Sequence, residues 1–185
     1  MFEVRFHGRG GQGAKSAAQF LVEAAMNEGK HIQAYPDYGP ERSGAPVRTY
    51  ARISDEPIIT HEPVTKPKAV VVLDATLLET IDVAEGLDND GVLIINSKEN
   101  KDFFKSKLKF KGKIYIIDAS LIALKLINRD SPNTAILGAL VKATKIVELK
   151  QMKNVIIHGF LRKLGKSAAE HNGECVGQGY DAVVL

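Results

Sequence analysis

A chain of 185 residues, 44% hydrophobic and 25% charged, is long enough for one globular domain with a proper core, taken as residues 1–185. The net charge of +3 is too small to indicate nucleic acid, and no Lys/Arg block sits on an aromatic-bearing strand, so a mild preference for anions is all it supports. One cysteine, Cys175, excludes a disulfide framework, a Cys-rich zinc site and a four-thiolate iron–sulfur site. There is no signal pattern and no apolar run of the roughly 18 residues that span a bilayer, so the chain reads as cytoplasmic with no membrane partner.

Glu3 to His7 alternates as a first strand and Ala14 to Asn27 carries apolar residues at helical spacing before Gly29. His31 to Tyr35 reads as a second strand. Pro36 to Pro46 is a turn-rich loop, because its prolines and glycines suit neither helix nor central strand. Val47 to Ile53 alternates again, and with the short apolar Ile58-Ile59 it predicts a hairpin at a sheet margin.

Ala69 to Asp74, Val92 to Ile95 and Ile114 to Asp118 are apolar runs of the kind found in strands buried on both faces. A helix is predicted over Thr76 to Leu87, with Leu77, Leu78, Ile81 and Ala84 on one face, and another over Lys98 to Leu108. The order βαβαβ with right-handed crossovers predicts a doubly wound α/β domain, a mostly parallel sheet in a Rossmann-like three-layer α/β/α stack. From Ser120 onward the periodicity is helical, over Leu121 to Asn128, Thr134 to Ile146, Lys150 to Leu164 and Ser167 to about Gly177.

Between the first strand and the first helix stands Gly8-Arg9-Gly10-Gly11-Gln12-Gly13. Glycines here admit positive φ and leave no Cβ, so backbone N–H groups at a helix N-terminus are free to face a phosphate. The same turn also serves simply to pack helix on sheet. A nicotinamide oxidoreductase is one reading of Gly8-x-Gly10-x-x-Gly13, with Asp37, 24 residues after Gly13, holding a ribose. Asp37 lies in the turn-rich loop, and no later His or Lys forms a hydride-transfer constellation. Asp74 and Asp118, at strand ends, read as caps of the following helices. The five histidines show no metal spacing, and Cys175 reads as a half-buried, inert thiol. Asn133 reads as an N-cap or its neighbour, and Gly138 as a site of close helix packing.

The Gly-Gly-Gln-Gly turn, followed by Tyr38-Gly39-Pro40-Glu41-Arg42-Ser43-Gly44-Ala45-Pro46-Val47-Arg48, the strand end at Asp74, Gly91 to Ser97, Ile117-Asp118-Ala119, and Asn133 with Leu137 to Leu140, resembles the gamma subunits of 2-oxoacid:ferredoxin oxidoreductases. The likeness covers nearly the whole chain, and the Ala-Pro form of the loop looks most like the pyruvate and branched-chain members. Ser43 stands where many members carry a second arginine.

The resemblance implies a complex that decarboxylates a 2-oxoacid on thiamine diphosphate, passes electrons through iron–sulfur clusters to ferredoxin and delivers the acyl group to coenzyme A. It implies alpha, beta and delta partner subunits, which carry the thiamine diphosphate, magnesium and clusters. Left to this chain are architecture and coenzyme A docking, by Gly8, Arg9, Gly10, Gly11, Gln12 and Gly13 with Arg42 and Arg48. Guanidinium forks and backbone N–H groups suit the pyrophosphate and 3′-phosphate. The alternative is a purely structural subunit, with Arg9, Glu41 and Arg42 forming ion pairs to a partner.

Overall fold

The computed structural model describes residues 1–37, 44–105, 107–108 and 110–184. Six strands form one sheet in the order β2-β3-β1-β4-β5-β6: β1 (Phe2–Arg9), β2 (His31–Asp37), β3 (Pro46–Ser54), β4 (Ala69–Val72), β5 (Val92–Asn96) and β6 (Lys113–Ile117). β1, β4, β5 and β6 run parallel, whereas β3 pairs antiparallel with both β1 and β2. The sequence explains the division. β4 and β5 are buried throughout, as strands covered on both faces must be. On β1 and β3 the residues alternate, with Val4, Phe6, Ala51 and Ile53 on one face and Arg5, His7, Tyr50 and Arg52 on the other.

The apolar face carries α1 (Ala14–Asn27) and the helices of the last third: α3 (Ala119–Ile127), α4 (Asn133–Thr144), α5 (Leu149–Leu164) and α6 (Lys166–Asp181). α4 lies against the parallel strands, buried from Asn133 to Val141, and α6 stacks onto α4. There the backbones meet, because a Cβ on Gly138 would stand 2.0 Å from the Val176 carbonyl oxygen and one on Gly179 would stand 1.8 Å from that of Ala135. Close packing at Gly138 is as expected from the sequence. The opposite face has a smaller core around Val70, Val72, Leu93 and Ile95, roofed by a 3-10 turn at Ala75–Glu79, the segment through Leu87 and the short α2 (Lys101–Lys105). The stack is thus the three-layer α/β/α arrangement expected, with layers of unequal thickness.

Four local expectations change. The helix over Thr76 to Leu87 is only the 3-10 turn followed by irregular turns, because the buried Arg5 guanidinium claims the carbonyl of Val83 (3.1 Å), which a helix would commit to the Leu87 N–H, and that of Glu85 as well. Ile58-Ile59 forms no strand, and Ile59 is exposed. The hairpin is instead β2 with β3, and the segment after β3 crosses the polar sheet face, where the Thr60 and Glu62 carbonyls accept from Gln33, Tyr35 and Arg52. Pro36 belongs to β2 rather than the loop, which the sheet tolerates because β2 is an edge strand. The helix predicted over Lys98 to Leu108 contracts to α2.

From β1 the chain leaves through α1 towards β2; from β4 it leaves on the other face towards β5 and β6. The carboxyl ends of β1 and β4 therefore flank the switch point, the edge at which doubly wound sheets open a crevice.

Candidate functional site

The glycine turn fills that switch point, and Gln12 pins it. Its Oε1 accepts from the Arg9 N–H (2.7 Å), its own N–H reaches back to the Arg9 carbonyl (3.1 Å), and its Nε2 donates to Asp74 Oδ2 (2.9 Å). Gly11 (φ +95) and Gly13 (φ +84) take left-handed conformations that a side chain would strain, and a Cβ on Gly13 would press within 2.7 Å of Asn133 Nδ2. Gly13 is the N-cap of α1 and offers no side-chain cap, so the first turn of that 14-residue helix presents its N–H groups and the positive end of its dipole beside the turn.

Asp74, at the end of β4, ties the site together. Beyond Gln12, its carboxylate accepts from Arg9 Nε (3.1 Å), from the Thr76 N–H (3.0 Å) and from the Thr76 hydroxyl (2.6 Å). Burial by itself would push this carboxyl up; the hydrogen bonds from Thr76 and Gln12, with the charge of Arg9, outweigh it and hold Asp74 below the ordinary carboxylate range. Asp74 caps as anticipated, and so does Asp118, which accepts from the Leu121 N–H. The bridge from Asp74 to Arg9 and Gln12 was not foreseen. The available signal was an Arg and a Gln just past one parallel strand and an Asp closing another.

Arg9 also joins the turn to the hairpin tip, through Nη1 to the Gly44 carbonyl (3.2 Å), while Nη2 reaches Thr76 Oγ1 (3.0 Å). The Gly10 N–H donates to the Ala45 carbonyl (3.2 Å), so the two motifs that carry the resemblance are in contact. Arg48 stands apart from the turn, on the polar sheet face, half-exposed and paired with Asp37 (3.0 Å). Arg42 lies outside the described residues, as does the rest of the stretch from Tyr38 to Ser43. Asp37 is thus held by Arg48 and by the Tyr50 hydroxyl (3.3 Å) at the end of β2. Beside Gln12 and Asp74 opens a cleft of about 360 Å³, reaching Asn96 and Ser120. Asn96 closes its floor by donating to the Leu73 carbonyl (2.9 Å) and accepting from the Ser120 N–H (3.1 Å).

On the polar face His7 is buried, its Nε2 accepting from Arg5 Nε (3.1 Å) and its Nδ1 without a partner. Burial, with the charges of Arg5 and Arg48, pushes its pKa down to about 3. The unfolded chain then binds the extra proton below pH 6.5, so stability contributed by neutral His7 is complete above that pH and drains away as pH falls towards 3. Between pH 6.5 and 5 the expected loss is about 2 kcal/mol, and His7→Gln, which keeps an acceptor for Arg5, should flatten that stretch of a urea-denaturation pH profile. An unchanged slope would assign the pH dependence to other groups.

Cys175 is fully buried, rather than half-buried, and its burial pushes the thiol up. Among the described residues no group of three His, Cys, Asp or Glu side chains is arranged to hold a metal ion, and no helix is long and apolar enough to cross a membrane.

The model of the pyruvate ferredoxin/flavodoxin oxidoreductase family matches residues 3–182. The chain belongs to this family. It is 46% identical over 182 residues to the pyruvate synthase subunit PorC of Thermotoga maritima, covering 98% of this chain and 94% of that one. It is 47% identical over 171 residues to the common gamma subunit of the pyruvate/ketoisovalerate oxidoreductases of Thermococcus kodakarensis, covering 92% of each. The crystal structure of the Thermotoga maritima pyruvate oxidoreductase subunit PORC superposes with a TM-score of 0.88 at 44% identity, over 97% of this chain and 95% of that one. The fold alone is shared with the 2-oxoglutarate:ferredoxin oxidoreductase of Magnetococcus marinus, solved with 2-oxoglutarate, coenzyme A and succinyl-CoA bound. There the TM-score is 0.79 at 19% identity, over 99% of this chain and 31% of that one. Against this family background the nicotinamide reading of the glycine turn falls away.

Proposed function

We propose that this chain is the gamma subunit of a 2-oxoacid:ferredoxin oxidoreductase, with pyruvate as the first substrate to test, and that its glycine turn docks coenzyme A. The names of its relatives support the first statement, and the ligands of the Magnetococcus enzyme support the second. The observation that carries the reading is the junction at the switch point, where the hairpin tip, the glycine turn and the uncapped start of α1 converge.

In this reading the turn and the first N–H groups of α1 accept the pyrophosphate, with Arg42 and Arg48 meeting phosphate charge from the hairpin. Arg9 has a mainly positioning role. Three of the five N–H donors that a guanidinium carries are committed to Asp74, Gly44 and Thr76, which fixes the turn against β4. Alpha, beta and delta subunits complete the enzyme in the cytoplasm and carry the thiamine diphosphate, magnesium and iron–sulfur clusters, with ferredoxin as electron acceptor. This chain does not fit an iron–sulfur cluster, since its one thiol is buried in the helical core, and among the described residues no group of three His, Cys, Asp or Glu side chains is placed to hold a metal ion.

In the complex assembled from all subunits, Arg42→Ala should raise the KM for coenzyme A about 10- to 100-fold, the range of one charged hydrogen bond to phosphate. Pyruvate decarboxylation with reduction of an artificial acceptor should change little, because this chain carries no group for that step. An unchanged KM with a dissociated complex would make the loop an assembly contact and overturn the docking role.

A further inference from the structure

β6 is the last strand of the sheet, bonded to β5 on one side and, among the described residues, paired with no strand on the other. The ladder fixes which backbone groups face outward. Ser97 donates to the Ile117 carbonyl (2.9 Å), so Ile117, Tyr115 and Lys113 turn their N–H and C=O groups towards β5, and Ile114 and Ile116 turn theirs to the open edge. Two donors and two acceptors in a row are a template for another strand.

A trough of about 870 Å³ follows this edge, with Ile114, Ile116, Ala143 and Val183 among its apolar lining. Its rim is cationic. Lys98, Lys101, Lys113, Lys142 and Lys145 border it against two carboxylates among the described residues, Glu99 and Asp118, and Asp118 already caps α3. Lys142 lies over the Tyr180 ring at 4.4 Å. Among the described residues Lys98, Lys101, Lys113 and Lys145 form no ion pair. Lysine on an edge strand discourages pairing with another copy of the same basic edge. The same lysines favour an acidic chain, and they stand at both ends of the strand: Lys113 opens β6, whereas Lys98 and Lys101 follow the end of β5.

We propose that the β6 edge docks an extended acidic segment of a partner polypeptide as a seventh strand. Its backbone pairs with Ile114 and Ile116, and its carboxylates meet the lysines at either end. Five residues of β6 at about 3.3 Å each span about 17 Å, so the segment has a short β-forming centre flanked by Asp or Glu. This stands independently of the coenzyme A reading, which concerns the turn after β1.

The test uses the full chain and a fluorescein-labelled octapeptide, Glu-Glu-Val-Thr-Val-Thr-Glu-Glu, read by fluorescence anisotropy. Binding is expected in the micromolar range, weakening with added salt. Proline in place of the first threonine and of the valine that follows it, whose N–H groups point to opposite sides of the strand, removes a pairing donor whichever side faces β6 while keeping charge, and should raise Kd at least about tenfold. The double variant Lys113→Glu, Lys145→Glu, checked for native circular dichroism, should weaken the peptide by a similar factor. No binding at 1 mM peptide would overturn the proposal. So would equal affinity for the proline peptide, which reports charge alone, or indifference to the double variant. None of these outcomes bears on the KM for coenzyme A, so this proposal and the proposed function fail separately.

Discussion

Gly179→Ala is expected to destabilise the chain by more than about 3 kcal/mol, beyond the usual range for overpacking, and Gly179→Val to prevent folding. The added Cβ would meet the carbonyl oxygen of Ala135 at 1.8 Å, its carbon at 2.6 Å and its Cα at 3.0 Å. All three are backbone atoms inside α4, so no side chain can swing away. Relief requires α6 to retreat from α4, which loosens the packing around Leu137, Leu140, Cys175 and Val176, buried together in the larger core. Gly138→Ala should behave alike, from the α4 side. A loss of this size is a large part of the ~5–15 kcal/mol that holds a domain together. Gly177→Ala in the same helix is the control: the nearest atoms to its Cβ are flexible side-chain ends, Lys153 Nζ at 3.3 Å and Glu174 Oε2 at 3.9 Å, and the gain in helix propensity of up to ~1 kcal/mol should leave it neutral or stabilising. Urea denaturation of the three variants decides the matter, and a Gly179→Ala midpoint equal to that of Gly177→Ala would show that the helices part freely.

What the sequence discloses depends on how local the determining interaction is. The turn after β1, the apolar parallel strands and the helices of the last third are written in runs of neighbouring residues, and each is found within a few residues of its expected place. Gly138 could be singled out because it interrupts an apolar helix. Gly179 could not, in a helix that also contains Gly173 and Gly177. Of the apolar face expected after Asp74, Leu77 is fully buried and Leu78, Ile81 and Ala84 are partly buried, whereas Val83, which lies off that face, is fully buried. The predicted helix fails because Arg5, 78 positions earlier, takes the Val83 carbonyl that the last turn needed. Likewise the polar face of β1 and β3 was visible only as alternation. That Arg5, His7 and Arg52 would be buried there depends on the segments that later cross over them. At the candidate site the glycine turn was legible, whereas its anchor was not. Arg9 and Asp74 are 65 positions apart and meet because β1 and β4 are parallel neighbours, a relation no spacing rule contains.

Asp74→Ala is therefore expected to disturb both the fold and the site. Arg9 Nε and Gln12 Nε2 lose their acceptor and Thr76 loses its cap. Hydrogen bonds to a charged group contribute about 1.5–3 kcal/mol each, so the combined loss should be on the order of 3–4 kcal/mol after allowing for overlap among neighbours. Freed from β4, the turn should hold its phosphate-facing geometry less often, and in the assembled complex the KM for coenzyme A should rise about tenfold or more. Acid separates this effect from general damage. Because the folded chain holds the Asp74 carboxyl below its ordinary range, its contribution is complete above the unfolded value, near pH 4, and is lost as pH falls through the lower folded value. Asp74→Asn preserves size and removes the charge, so the stability gap between wild type and this variant should be constant from pH 7 to 5 and narrow below about pH 4. The His7 contribution runs out over a higher interval, from pH 6.5 downward, and is common to both proteins, so it cancels in the difference. A gap that stays the same down to pH 3 would mean that the carboxylate charge is not what binds Arg9 and Gln12, and the account of Asp74 as the anchor of the glycine turn would have to be abandoned.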